Sequence, residues 1–232
     1  MSAVIHNIAC FSSGGPGNFA TVLEFCEAHP RSARVAALVS DRHAIPAIEL
    51  ARDRGIEHRV FEFPTFRGDP LACASRVGTC NEILSYLEDV EDRKGSISLI
   101  VLAFRRILAG PIIERFVGRM INVHPADLSV FDLSTHRPRY AGIGGLRLSL
   151  LDGNGESRTS VHFVDGGVDT GALLCLGPMV RFFGCADSAA DVQEHERRQK
   201  SESDRPALVR VLERMLLGGS SNVVPCELLN GP

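Results

Sequence analysis

Apolar residues recur along this chain at two alternating periods. Short, nearly continuous apolar runs at Val4 to Phe11, Arg34 to Val39, Ser98 to Ala103 and Met120 to Val123 read as strands buried on both faces. Between them lie segments with apolar positions at helical spacing. These are Phe19 to Glu27 (through Phe19, Val22, Leu23, Phe25 and Cys26), Ala44 to Arg54 stopped by Gly55, and Asp69 to Glu88 with Leu71, Val77, Ile83, Leu84 and Leu87 on one face. Glu57 to Phe63 is a further short strand, the charged run Glu88 to Lys94 a solvated helix end, and Pro111 opens a short helix. This β-α-β-α alternation predicts an α/β fold: a doubly wound, mostly parallel sheet with helices on both faces and its site at the C-terminal strand ends.

The pattern then loosens. Val130 to Gly145 reads as an irregular loop with Pro138, Tyr140 and several glycines, and a loop of that length in a compact domain is commonly functional or disordered. Leu146 to Leu151 resumes a helix, Asp152 to Gly155 turns, and Thr159 to Val164 is a strand. Ala172 to Leu176 and Met179 to Phe182 are strands split by Gly177-Pro178. Ala189 to Leu217 reads as helix, very polar from Gln193 to Asp204 and then apolar on one face through Leu208, Val209, Val211, Leu212, Met215 and Leu216, until Gly218-Gly219 stops it. The expected organisation is one domain over residues 1–217, in two halves meeting near residue 100, and a short tail over 218–232.

Composition narrows the function classes. The chain has 232 residues, 44% hydrophobic and 23% charged, which is ordinary for a globular protein with a sizeable core. A net charge of −3 with no basic run leaves no nucleic-acid footprint, and no apolar stretch approaches a membrane span. The seven cysteines (Cys10, Cys26, Cys73, Cys80, Cys175, Cys185, Cys226) are scattered, odd in number and never in C-x-x-C, as expected of reduced thiols in a cytoplasmic protein; no metal site is read from them.

Candidate chemistry sits at Ile121-Asn122-Val123-His124-Pro125. Pro125 pushes His124 towards an extended conformation, so the strand ends there. Asn122 and His124, two apart, share a strand face. An amide that can donate to a developing oxyanion beside an imidazole that can shuttle protons suits acyl transfer. A lone Asn-x-His is more often a turn residue and a hydrogen-bonded histidine. A second stretch adds weight: Thr159 to Val164, carrying His162, runs into a glycine-rich turn with two carboxylates, Asp165 and Asp169. Between them the sequence leaves the choice open. Near the N-terminus, Ser12 to Asn18 forms a glycine-rich link from strand to helix, which points N–H groups at an anion, although a tight βα turn also uses glycines. It is neither a P-loop nor a dinucleotide fingerprint.

With these landmarks the chain resembles the folate-dependent formyltransferase family from about Val4 to Leu217. The resemblance is carried by Ser13-Gly14-Gly15-Pro16-Gly17-Asn18-Phe19, by Val101 to Leu108, by Ile121 to Pro125, and by Thr159 to Val164 with Val168-Asp169-Thr170-Gly171. It implies a Rossmann-like formyltransferase fold with a phosphate-binding half over about 1–100 and a folate and catalytic half over about 100–217. The implied reaction moves a formyl group from 10-formyltetrahydrofolate, as cosubstrate and without a metal, to the amine of glycinamide ribonucleotide in purine synthesis. The alternatives are the same transfer to another small amine, such as an amino sugar nucleotide, or a non-catalytic folate- or nucleotide-binding protein. Residue by residue, it implies Asn122, His124 and Asp169 as the catalytic trio, with His162 in a positioning role. Gly14, Gly15, Gly17 and Asn18 would cradle the substrate phosphate, and Arg106, Ile107, Leu108, Val164, Asp165 and Gly166 would hold the folate. The implied partners are small molecules, a phosphorylated amine and a reduced folate, for a monomer or homodimer with no nucleic-acid or membrane partner.

The chain also departs from the family. His124-Pro125 is followed by Ala126-Asp127-Leu128-Ser129 in place of a Ser-Leu-Leu-Pro type loop, and the connection to Thr159 is longer; that region normally shapes the amine-substrate pocket. Pro16 removes one N–H from the glycine loop. Around Glu202 the helix is off the family's register by about a residue.

Overall fold

The computed structural model describes residues 5–64 and 70–218, with no side-chain description for 70–74. Val4, Asp69, the side chains of Leu71 and Cys73, Gly219, Cys226 and the rest of the 219–232 tail lie outside the described residues. The chain divides into two compact units, Met1–Asn122 with Val164–Val168, and Val123–Phe163 with Asp169–Pro232.

In the first unit, β1 (His6–Ser12), β2 (Ala33–Ser40), β3 (His58–Val60), β4 (Ile97–Ala103) and β5 (Met120–His124, which crosses into the second unit after Asn122) alternate with helices. The helices are α1 (Gly17–Ala28), α2 (Pro46–Asp53), α3 (Pro70–Lys94) and α4 (Pro111–Arg115). The strands lie in the order β5-β4-β1-β2-β3, every pair parallel, as the unbroken apolar runs predict. Alternation along β1 shows helices on both faces. Ala9 and Phe11 join a buried cluster with Cys80, Ile83 and Leu87 of α3 and with Ile112 and Phe116 around α4. Cys10 points the other way, where Cys26 of α1 adds to the effect of burial in pushing its thiol up. Burial likewise pushes Cys26 up to about 12, the behaviour of an inert, small apolar side chain.

Local chemistry sets the helix ends. Pro46 and Pro111 occupy first-turn positions where a missing N–H costs nothing. Gly55, at φ +63, stops α2 in a conformation that a side chain would strain. The third strand is shorter than its sequence suggests, three residues instead of seven, because only His58 to Val60 pair with β2.

The second unit is antiparallel. β9 (Ser160–Phe163) pairs with β10 (Leu173–Leu176), and β8 (Glu156–Ser157), which has no sequence signature of its own, pairs with β11 (Val180–Arg181). The 130–145 stretch is less irregular than its composition implies. β6 (Phe131–Asp132) and β7 (Arg137–Pro138) form a small ladder closed by Asp132, whose Oδ1 accepts from the Ser134 and Thr135 N–H groups, and α5 (Gly145–Leu151) follows. The long C-terminal helix is broken into α6 (Ala189–Gln199), a π turn over Lys200–Asp204 and α7 (Arg205–Leu216). A π turn inserts one residue into the helical register at this point.

Phe11 is 1% exposed and meets Phe104 edge-on at 5.4 Å, and Phe104 meets Phe63 at 5.6 Å. Phe11→Ala is expected to destabilise the protein by about 3–5 kcal/mol in denaturant unfolding. A loss below about 1 kcal/mol would mean that this aromatic chain does not bear on the sheet.

Candidate functional site

In the second unit, β5 delivers His124 at its last position and the chain turns at Pro125. The imidazole is buried, 5% exposed, and both of its nitrogens face protein atoms. Nδ1 lies 3.2 Å from Asp169 Oδ2, and Nε2 is 2.8 Å from the Tyr140 carbonyl oxygen. Asp169 follows the glycine turn after β9 and takes φ +51, one of two non-glycine residues in the left-handed region among those described. A short polar side chain tolerates that conformation best, and such outliers gather at functional sites. Its other oxygen, Oδ1, lies 3.3 Å from His162 Nε2, and Oδ2 also accepts from the Gly142 N–H at 2.7 Å. His162 Nδ1 is 2.8 Å from the Phe163 carbonyl. Of the two carboxylates the sequence offers, Asp169 is therefore the one set against both histidines. Asp165 is exposed and caps its own turn by accepting from the Gly167 N–H.

Charge follows from this geometry. Burial pushes the His124 pKa below its ordinary 6.5, opposed by the Asp169 charge and by the hydrogen bond to Tyr140. Burial pushes Asp169 up, but His162, His124 and the Gly142 N–H outweigh it and hold the carboxyl at about 2. At neutral pH the unit thus holds a carboxylate beside an imidazole that burial biases towards its neutral form.

Behind His124 lies a buried polar network that sequence reading did not single out. The polar first half of the C-terminal helix is buried along one side, through His195, Gln199, Ser203 and Asp204. Gln199 Nε2 donates to the Pro125 carbonyl at 2.9 Å and to Thr159 Oγ1 at 3.1 Å. Ser203 Oγ accepts from the Thr159 N–H at 2.9 Å, and Asp204 accepts from the Thr159 hydroxyl. Ser160 Oγ accepts from the Leu128 N–H and donates to the Ala126 carbonyl, fixing the turn after Pro125. The i, i+4, i+8 spacing of His195, Gln199 and Ser203 was the available signal, but polar residues at helical spacing ordinarily mark a solvated face. Tyr140 and Gly142 act through main-chain atoms, which leave no trace in a sequence.

The first unit carries the other predicted residues. β1 ends at Ser12, and Ser13 is held by Ala103 and Arg105: its N–H donates to the Ala103 carbonyl at 3.3 Å and its Oγ accepts from the Arg105 N–H at 2.8 Å. A Cβ added at Gly14 or Gly15 would meet nothing within 4 Å, so packing does not demand glycine there; a bare main chain open to close approach is what remains. Gly17 opens α1, and Asn18 is buried in its first turn with Oδ1 lacking a hydrogen-bond partner. After β4, residues 104–110 belong to no helix or strand. Leu108 is buried in the core cluster that Val164 also packs against, while Ile107 is 46% exposed. Gly166 has open space around its Cβ position. Arg106 donates from Nε to Asp41 Oδ2 at 2.6 Å and stacks over Phe63. Asp41, which sequence reading passed over, is a carboxylate at a strand end with its side chain fully buried. Asn122 stands two residues before His124 on β5, on the same strand face. Among the described residues no three His, Cys, Asp or Glu are grouped to hold a metal ion, and no helix is long and apolar enough to cross a membrane.

Known proteins were compared on this basis. The family model described as formyl transferase matches residues 6–179. Phosphoribosylglycinamide formyltransferase of Haemophilus influenzae is 29% identical over 194 residues, covering 83% of this chain and 81% of that protein. The enzyme of the same name from Escherichia coli is 27% identical over 194 residues, covering 84% of this chain and 81% of its own length. Among solved structures, glycinamide ribonucleotide transformylase 1 from Geobacillus kaustophilus superposes with a TM-score of 0.64 at 25% identity, covering 90% of this chain and 99% of that one. The counterpart from Symbiobacterium toebii gives 0.67 at 24% identity, covering 90% and 86%, a likeness of fold. The matched span runs from β1 to the segment after β10 and takes in the glycine loop, the His124 strand end and the Asp169 turn, so the chain belongs to the formyl transferase family.

Proposed function

We propose that this protein transfers the formyl group of 10-formyltetrahydrofolate to the primary amine of glycinamide ribonucleotide, a step of purine biosynthesis. The observation that carries this reading is the buried His124–Asp169 contact at 3.2 Å, at a strand end, in a chain of this family. The acceptor follows from the names of the relatives, which share their identity over most of this chain.

The chemistry asks for three things. The amine lone pair attacks the formyl carbon, a C–N bond forms, and the carbonyl electrons move onto oxygen. The attacking nitrogen then loses a proton, the bond to N10 breaks, and N10 takes up a proton, so none is gained or lost overall. Asn122 is suited to donate its amide to the oxyanion, a contribution of about 3 kcal/mol for one well-placed donor. The His124–Asp169 pair is suited to take the proton: a carboxylate facing an unprotonated nitrogen is relieved when a proton enters between them. His162 holds the second carboxylate oxygen and so positions Asp169 rather than reacting. The glycine loop offers main-chain N–H groups and a helix N-terminus to the acceptor phosphate. For the folate, Arg106, Ile107 and Leu108 offer main chain outside any ladder, and Leu108 and Val164 offer an apolar wall; Asp165 and Gly166 frame the turn beside them.

His124→Ala is expected to lower kcat by about 100- to 10,000-fold while the fold persists by circular dichroism. Near-normal turnover would remove His124 from the chemistry. Assayed against glycinamide ribonucleotide, its dephosphorylated form and an amino sugar nucleotide, the enzyme should favour the first; equal or better transfer to the sugar nucleotide would reassign the acceptor.

The pH profile follows from the direction of the shift. A neutral His124 accepts the proton, so kcat should fall on the acid side through a pKa below 6.5. Asp169→Asn removes the charge that raises this pKa, so the limb should move to still lower pH as kcat drops. An acid limb above 6.5, or one that moves up in the variant, contradicts the assignment.

A further inference from the structure

The two ends of the buried cluster share a feature beyond the reading of His124 as the proton-handling group, though the inference rests on that reading. From Phe163 to Tyr140 the contacts run in a line: carbonyl oxygen, His162 Nδ1, His162 Nε2, Asp169 Oδ1, Asp169 Oδ2, His124 Nδ1, His124 Nε2, carbonyl oxygen. A carbonyl oxygen only accepts, so the nitrogen facing it must carry a hydrogen to make the bond. His124 is thereby held with its hydrogen on Nε2, and the proton it gains or loses sits on Nδ1, towards Asp169.

One short segment supplies the restraint. Tyr140 gives its carbonyl to His124 Nε2, and two residues on Gly142 gives its N–H to Asp169 Oδ2 at 2.7 Å. Gly145, at the start of α5, closes over the same point. A Cβ there would lie 1.9 Å from the Tyr140 oxygen, 2.8 Å from its carbonyl carbon and 3.1 Å from His124 Nε2. Only glycine fits unless the Tyr140 carbonyl moves. The segment is itself anchored: Tyr140 is 5% exposed, its hydroxyl donates to Asp152 Oδ2 at 3.2 Å and accepts from Asn154 Nδ2 at 2.8 Å, and Arg139 donates to the same Asp152 oxygen at 2.7 Å.

We propose that Tyr140 to Gly145 is a positioning element for the reaction, a main-chain clamp that fixes the tautomer of His124 and directs its exchangeable proton to the Asp169 side. The loop that the sequence offers only as a wall of the amine pocket then has a second task. Proton exchange with substrate runs through Nδ1 and the carboxylate, and Nε2 serves as a fixed pivot. The charged and titratable groups acting on this ring are Asp169, His162 and Asp204, and the clamp adds the Tyr140 hydrogen bond to them.

Nitrogen-15 NMR of the labelled protein reads the tautomer without a variant. Above its pKa, His124 should show a protonated Nε2 and a bare Nδ1; the opposite tautomer, or rapid averaging between the two, overturns the proposal. Gly145→Ala should lower kcat by about 100-fold with KM for the formyl donor nearly unchanged, because a displacement of about 1 Å at the reacting groups costs that much. It should also move the acid limb of kcat to lower pH, since the hydrogen bond supporting the cation is weakened. If Gly145→Ala does not fold, Tyr140→Phe, which removes only the anchoring hydroxyl, should shift the limb in the same direction by less. Unchanged pH profiles in the folded variants defeat the clamp. Failure of the catalytic reading is distinct: His124→Ala would then stay active whatever the tautomer.

Discussion

Everything distinctive in this molecule depends on keeping a carboxylate and an imidazole together out of water. Asp169 and His124 are 45 positions apart in the chain (169 less 124), yet Asp169 Oδ2 and His124 Nδ1 stand 3.2 Å apart and the imidazole is 5% exposed. Burial alone would drive both groups to their neutral forms. The carboxylate stays ionised because both histidines and the Gly142 N–H support its charge, and the His124 imidazole is biased neutral because burial outweighs the opposing charges of Asp169 and Asp204 and the Tyr140 hydrogen bond. That opposition leaves an ionised carboxylate facing an imidazole biased towards neutral, from residues whose ordinary pKa values lie more than two units apart, and this is the arrangement that the proposed proton transfer uses.

Such a pair needs a rigid surround, and the surround here is polar. Gln199, Ser203 and Asp204 bind Pro125 and Thr159, the residue before the strand that carries His162, through hydrogen bonds. Each such bond contributes about 1 kcal/mol, but leaving one partner unsatisfied costs about 1–3 kcal/mol, so the network acts chiefly by making displaced arrangements expensive. The π turn at Lys200–Asp204 belongs to this network, since Ser203 and Asp204 both lie in it and bind the Thr159 N–H and hydroxyl.

Much of the fold was legible because its signals are local and repeated. The parallel strands announce themselves as unbroken apolar runs, and Gly55, Pro46 and Pro111 mark helix ends by backbone constraint. His124 could be singled out because Pro125 ends its strand, and His162 because it lies on a strand leading into an acidic turn. Three things were not legible. The residues by themselves do not separate Asp169 from Asp165, which only the family resemblance favours, because the difference depends on a left-handed backbone at residue 169 that no neighbouring residue dictates. The roles of Tyr140 and Gly142 belong to main-chain atoms that every residue type shares. The buried side of α6 is polar, so the rule that apolar stripes face inward pointed elsewhere.

The central claim is that His124 and Asp169 work as one unit, and a double-mutant cycle on kcat/KM measures that most directly. Single replacements at each position and the two together are compared in the same formyl-transfer assay. If the pair is a single proton acceptor, the second replacement should add little to the first, giving a coupling of about 2 kcal/mol or more. Two losses that simply multiply, with no coupling beyond about 0.5 kcal/mol, would show that the residues act independently and would contradict the account.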